Sequence, residues 1–165
     1  MWNGQWMALS MGATVAIYDG AVNHPDLGVV WRFIADENLS YFGAGAAFYS
    51  TCMKAGVTPR EEVDLSNLRS LGATGSPLSS DTYDWIYKDV KTDQWLAPIS
   101  GGTDLAGAFV VGHPGMAVRA GEMQCRALGN AVRAFDPAGK ELIGDVGELV
   151  CTEPLPSMPL YFWGD

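Results

Sequence analysis

Cysteine and histidine are scarce in this chain, and basic residues are outnumbered. The three cysteines stand far apart, at 52, 125 and 151, beside only two histidines. No CxxC pair and no Cys/His ligand spacing exists, so the pattern speaks against a zinc site. Ten Lys and Arg face nineteen Asp and Glu, for a formal net charge of −9. Nucleic acid needs clustered Lys and Arg and is therefore not an expected partner. A nucleotide held by backbone N–H groups and a metal remains compatible with that charge. No apolar run approaches transmembrane length, and the N-terminus lacks a basic n-region followed by an apolar h-region. The expectation is a cytoplasmic protein with reduced thiols and no membrane contact. Nucleophile motifs are missing too: there is no GxSxG elbow and no Ser-His-Asp arrangement.

What is present is a core. Of the 165 residues, 48% are hydrophobic, enough to bury one domain. Residues 4–11 read as a helix stopped by Gly12. Ala13–Tyr18 reads as a strand, Leu27–Glu37 as a helix, and Leu39–Phe42 as a second strand. Ala46–Ala55 follows as a helix stopped by Gly56, then Thr58–Asp64 as a polar loop. Leu68–Ala73 is a third strand. Ser79, Ser80 and Asp81 offer N-caps for a helix running to about Val90. Trp95–Ile99 is a fourth strand. This alternation predicts an α/β layer with a parallel sheet and flanking helices. Beyond His113-Pro114-Gly115 the pattern becomes short extended segments (Gln124–Leu128, Ala131–Phe135, Glu148–Cys151) separated by turns. These predict antiparallel strands of a neighbouring subdomain. The expected division is 1–114 for the α/β part and 115–165 for an incomplete β-rich part. Both ends look cut from something longer.

Three short stretches carry possible chemistry. Ser100-Gly101-Gly102-Thr103-Asp104 follows the apolar run Trp95–Ile99. Glycines at a strand end let a phosphate approach closely, Thr103 offers a hydroxyl, and Asp104 a hard oxygen ligand for Mg²⁺. The same run also suits a plain turn. Gly72-Ala73-Thr74-Gly75-Ser76-Pro77 follows a strand but lacks the lysine of a phosphate loop. It reads either as a ligand-contacting edge or as a β-turn. Gly43-Ala44-Gly45-Ala46-Ala47-Phe48, with Glu61 or Glu62 downstream, has the outline of a dinucleotide fingerprint. Its large Phe48 favours a tight strand-to-helix turn instead. His24 and His113 sit beside prolines as surface or capping residues. Asp81, Asp84 and Asp89 suit a solvated helix face, and Glu148 a strand edge.

Taken in order, these motifs resemble the adenylate-forming acyl-CoA synthetases. Gly75-Ser76-Pro77 is similar to the family's Gly-Glu-Pro adenine loop. Ser100–Asp104 is similar to its aromatic-Gly-x-Thr-Glu motif. Gly144-Asp145-Val146-Gly147-Glu148-Leu149-Val150 is similar to its Gly-Glu-Leu strand. Met1-Trp2-Asn3, Gly12–Gly20 and the ending Met158–Trp163 resemble the same family. The resemblance implies ATP-dependent activation of a carboxylic acid as an acyl-adenylate, then transfer to CoA. By the same resemblance Gly75, Ser76 and Pro77 line the adenine. Ser100, Gly101, Gly102 and Thr103 lie beside phosphate and acyl group, with Thr103 in the catalytic position, and Asp104 helps hold Mg²⁺. Ser76 replaces the usual Glu, and Ser100 the usual aromatic. Gly101, where acetate-specific members carry Trp, implies an acid larger than acetate, such as acetoacetate. The family's upstream phosphate loop and downstream ribose-binding Asp and lid lysine are missing from these residues. The isolated chain is therefore expected to be inactive, with exposed apolar surface favouring self-association. Two other readings stay open: a non-catalytic nucleotide-binding or scaffold domain, and a Rossmann-type oxidoreductase piece.

Overall fold

The computed structural model describes residues 2–161 together with 163 and 164. Met1, Phe162 and Asp165, at the ends of the family resemblance, lie outside the described residues. The core of the fold is a three-stranded parallel sheet of β1 (Tyr41–Gly45), β2 (Ser70–Thr74) and β3 (Trp95–Pro98), in that order. Gly45 lies opposite Thr74, and Ala73 opposite Pro98, so the strands finish level with one another.

Helices α2 (Val29–Asp36), α3 (Ala46–Lys54), α4 (Pro59–Glu62) and α5 (Ser80–Trp85) accompany the sheet, with a π-helical turn at Ile86–Val90 extending α5. The spacing of Val30, Trp31 and Ile34 puts all three on one face of α2, and all three are buried. They meet Tyr49 of α3, Leu71 and Ala73 of β2, Leu96 of β3, and Tyr83 and Ile86 in one cluster. Trp31 sits at its centre, with ring centroids 5.8–6.4 Å from Phe42, Phe48, Tyr49 and Trp85. The Tyr49 hydroxyl donates to the Gly72 carbonyl at 2.8 Å, tying α3 to the middle of β2. Burial pushes the pKa of that hydroxyl well above the usual tyrosine range.

Ser79 caps α5 as expected: its Oγ accepts the Thr82 amide at 3.3 Å and lies 2.8 Å from Thr82 Oγ1. The helix runs on to Val90, but in two parts. Ser79→Ala is expected to lower the unfolding free energy by about 1 kcal/mol in a urea titration. An unchanged midpoint would show that water replaces the cap.

Two expectations are corrected. No strand forms over Ala13–Tyr18: residues 13–19 take no regular structure, and Ile17 is 70% exposed. The β-branched Thr14, Val15 and Ile17 supply propensity, but a strand needs a ladder. No described strand pairs with this segment, so the parallel sheet has three members and not four. Helix α1 (Trp2–Ser10) and its stop at Gly12, φ +78°, do form. The loop expected over Thr58–Asp64 contains the single turn α4, opened by Pro59 at its first position.

Antiparallel pairing begins earlier in the chain than His113. Strand β4 (Ser100–Gly102) pairs with β5 (Gly107–Val111), and β5 with β6 (Cys125–Arg126). A separate sheet joins β8 (Glu141–Leu142), β7 (Val132–Phe135) and β9 (Glu148–Cys151) in the order β8-β7-β9. The mixed parallel and antiparallel α/β architecture expected from the sequence is therefore present. No helix among the described residues is long and apolar enough to cross a membrane.

Candidate functional site

Because the three parallel strands end level, the segments that follow them leave one edge of the sheet together. Such carboxyl edges are where open α/β sheets hold ligands. Gly75-Ser76-Pro77 follows β2, and Ile99 then Ser100–Asp104 follow its neighbour β3. The Ile99 amide donates to the Ala73 carbonyl at 2.8 Å, so the two exits are joined where they part. Gly75 has φ +88°, a conformation that only glycine adopts at low cost, and a side chain there would meet nothing within 4 Å. Gly75, Ser76 and Pro77 are all exposed, with buried Leu78 anchoring the loop behind them.

The Ser100–Asp104 segment is a strand and a turn, not a free loop. Ser100–Gly102 is β4, and Thr103–Ala106 turns the chain back into β5, with the Ala106 amide donating to the Thr103 carbonyl at 3.0 Å. Buried Leu105, 4% exposed, plugs the turn from below. Its carbonyl accepts the Ser157 hydroxyl at 2.8 Å. Thr103 and Asp104 are left exposed on the outer side of the turn.

The two glycines have different surroundings. A Cβ on Gly101 would stand 2.3 Å from the Gly107 carbonyl oxygen and 2.9 Å from Ala108 Cα. The space that Gly101 leaves is therefore filled by the hairpin's own backbone, and the expected room for a larger acid does not open from this position. A Cβ on Gly102 would meet nothing within 4 Å. Gly102 pairs with Gly107 across the hairpin, so both facing positions are bare. Residues directly opposite share a face, which leaves a shallow notch beside Thr103. It is bordered on the Gly107 side by Leu105 Cγ and Ser157 Oγ, each 3.8 Å from where a Cβ there would stand. Gly107 had no place in the sequence-derived site. Its only signal was a second glycine five residues after Gly102, at hairpin spacing.

The third motif lies in the separate sheet. Glu148, Leu149 and Val150 belong to β9 and pair with Phe135, Ala134 and Arg133 of β7. A Cβ on Gly147 would come within 2.7 Å of the Phe135 carbonyl oxygen, a packing reason for that glycine. Glu148 is exposed at the strand start.

The fingerprint-like Gly43-Ala44-Gly45 lies within β1 and runs straight into α3, with Phe48 stacked among Trp31, Phe42 and Tyr49. The histidines stay outside the site. His113 Nδ1 accepts the Gly115 amide at 3.0 Å, a turn-capping contact. Among the described residues no three His, Cys, Asp or Glu side chains form a group able to hold a metal ion. Asp104, with the Thr103 hydroxyl beside it, suits a Mg²⁺ that takes most of its oxygens from phosphates and water.

The comparisons with known proteins agree with this geometry. The model of the family described as AMP-binding enzyme matches residues 1–162. Acetoacetyl-coenzyme A synthetase of Rhizobium meliloti is 44% identical over the whole chain, and that of Gallus gallus 39%. The chain covers 25% of each of these relatives, about a quarter of their length. Among solved structures, acetoacetyl-CoA synthetase from Streptomyces lividans superposes with a TM-score of 0.90 at 39% identity, covering 99% of this chain and 26% of that one. An anthranilate CoA ligase in complex with anthranoyl-AMP shares the fold, with a TM-score of 0.73 at 19% identity over 84% of this chain and 26% of that one. A family match across residues 1–162, with two of the three expected motifs at one carboxyl edge of the parallel sheet, has one conclusion: the chain belongs to the AMP-binding enzyme family.

Proposed function

We propose that this chain supplies the adenine loop and the phosphate-facing hairpin of an ATP-dependent acetoacetate–CoA ligase. The observation that carries the reading is the exit of Gly75–Pro77 and Ser100–Asp104 from adjacent parallel strands at one sheet edge. In the reaction, the acid's carboxylate attacks the α-phosphate of ATP, giving an acyl-adenylate and pyrophosphate. The CoA thiol then displaces AMP. Gly75, Ser76 and Pro77 lie along the adenine, where a bare backbone admits a flat ring. Gly102 and Gly107 leave the hairpin face open beside the phosphates and acyl group. Thr103 donates a hydrogen bond to a phosphoryl oxygen, and Asp104 supplies one carboxylate oxygen to Mg²⁺. When bound, the metal neutralises charge on the transferring phosphoryl group.

The same reading treats residues 1–114 as the α/β subdomain and 115–165 as part of an adjoining one. Exposed apolar residues such as Ile17, Tyr41, Ile143 and Val146 support contact with further protein. In the isolated chain they favour self-association. Three free cysteines support a reducing, cytoplasmic setting.

Calorimetric titration of the chain with ATP and Mg²⁺ tests the site. Weak binding is expected, together with its loss in Asp104→Ala. Mixing with ATP, Mg²⁺, CoA and acetoacetate is expected to release no pyrophosphate, because a hairpin and one loop do not complete the site. Robust turnover would overturn that statement. A stably folded chain with no affinity for ATP would favour a scaffold domain that kept the fold alone.

A further inference from the structure

The turn carrying Thr103 and Asp104 is the tip of the β4–β5 hairpin, and just past the far end of β5, beyond its ladder to β6, one side chain gathers the backbone. Gln124 Oε1 accepts the His113 amide at 2.9 Å and the Trp95 indole N–H at 3.1 Å. Gln124 Nε2 donates to the carbonyls of His113 at 3.2 Å, Met116 at 2.7 Å and Ala117 at 3.3 Å. The bonds to His113 use both its N–H and its C=O. The amide therefore acts as one more step of the ladder, beyond the Val111–Cys125 pair that joins β5 to β6.

This junction is tight. A Cβ on Gly112 would come within 2.7 Å of both Ala97 Cβ and Trp95 Cζ2, so β5 leaves the hairpin pressed onto β3. The helix layer grips the same loop. The Tyr83 hydroxyl donates to the Glu122 carbonyl at 2.7 Å, and burial pushes its pKa up to about 12. Gln124 thus sits where β3, β5 and the 113–124 loop meet.

We propose that Gln124 is a positioning residue for the Thr103–Asp104 turn, setting its place relative to Gly75–Pro77 by fixing the base of the hairpin to β3. Five residues separate Gly112 from Gly107, a lever of roughly 16 Å at strand rise. A tilt of about 10° at the base moves the tip by roughly 3 Å, and displacements near 1 Å already cost about a hundredfold in rate. The inference rests on the reading of that turn as facing phosphate.

The test uses the 165-residue chain with Gln124→Met, which keeps the length and removes the amide, and Gln124→Glu, which keeps the acceptors. Amide NMR spectra are recorded for both. The expected result for Gln124→Met is displaced resonances at Gly101, Gly102, Thr103 and Asp104, besides the Trp95 indole, and about tenfold faster exchange at His113. Gln124→Glu keeps the acceptor for the Trp95 indole but loses the donor to three carbonyls, so displaced Gly101–Asp104 resonances are expected there too. If the Met variant does not fold, a folded Glu variant with an unmoved tip overturns the inference. Changes confined to Trp95 and residues 112–117 would overturn the inference, because Gln124 would then hold only its own loop. ATP titrations on the same samples separate the two ideas. An unsubstituted chain that ignores ATP, in spectra where Gln124→Met still moves the tip, contradicts the ligase reading and not the lever. An unsubstituted chain that binds ATP and keeps its affinity in Gln124→Met, with the tip unmoved, contradicts the lever alone.

Discussion

Trp31→Ala is expected to lower the unfolding free energy by about 4 kcal/mol. Trp31 is 1% exposed and stacks against Phe42, Phe48, Tyr49 and Trp85. Removing it deletes the central indole of the cluster and leaves a cavity bounded by rings. These belong to α3, β1 and α5, elements fixed by their own backbone bonds, so the site cannot collapse onto the gap. A domain of this size has about 5–15 kcal/mol in total, so a large part of its margin is lost. Urea unfolding followed by far-UV circular dichroism measures the effect. A loss below about 1 kcal/mol would mean that the cluster repacks as a liquid would, contrary to its close packing. Trp31→Phe is expected to cost less, because most ring contacts survive.

Gly101→Ala is expected to destabilise by about 3 kcal/mol, and Gly102→Ala by almost nothing. The adjacent glycines have identical chemistry and opposite surroundings. The new methyl at 101 would lie 2.3 Å from a backbone carbonyl of the paired strand, an obstacle that no side-chain rotation relieves. The hairpin must open, and the turn bearing Thr103 and Asp104 moves with it. At 102 the methyl enters open space, and fewer unfolded conformations slightly offset any loss. Function is expected to reverse the sensitivity per unit of stability lost. Gly102→Ala places a methyl in the notch proposed to face the ligand, so ATP affinity falls while the urea midpoint stays. A Gly101→Ala protein as stable as the unsubstituted chain would overturn the account of the hairpin.

Much of this molecule was legible from spacing alone. Val30, Phe33 and Ile34 announced an amphipathic α2, although the structure buries Trp31 beside Val30 and Ile34 and leaves Phe33 half-buried. Ser79, Ser80 and Asp81 marked the start of α5, and the apolar runs Leu68–Ala73 and Trp95–Ile99 marked two strands of the parallel sheet. These are local patterns with one physical solution, since a helix of period 3.6 or a pleated strand of period 2 aligns them on one face. The order of Gly75–Pro77, Ser100–Asp104 and Gly147–Leu149 was equally visible, and it led to the family.

Other features depended on partners distant in sequence. Ala13–Tyr18 has the composition of a strand but remains irregular, because a ladder is a property of two segments. Gly101 looked like space reserved for substrate, yet the carbonyl of Gly107 occupies it. Gln124 had no distinguishing signal, because an amide's worth depends on which donors and acceptors the chain brings around it. Gly107 gained meaning only when the turn placed it opposite Gly102.

The amino-acid sequence by itself determined most of the helices, the three parallel strands and the family. Each follows from residue order and short-range geometry. Only the tertiary structure decided which glycine is open and which is filled, which strand-like segment finds no neighbour, and which donors and acceptors gather around Gln124. Those are distances between residues that chain order leaves unspecified.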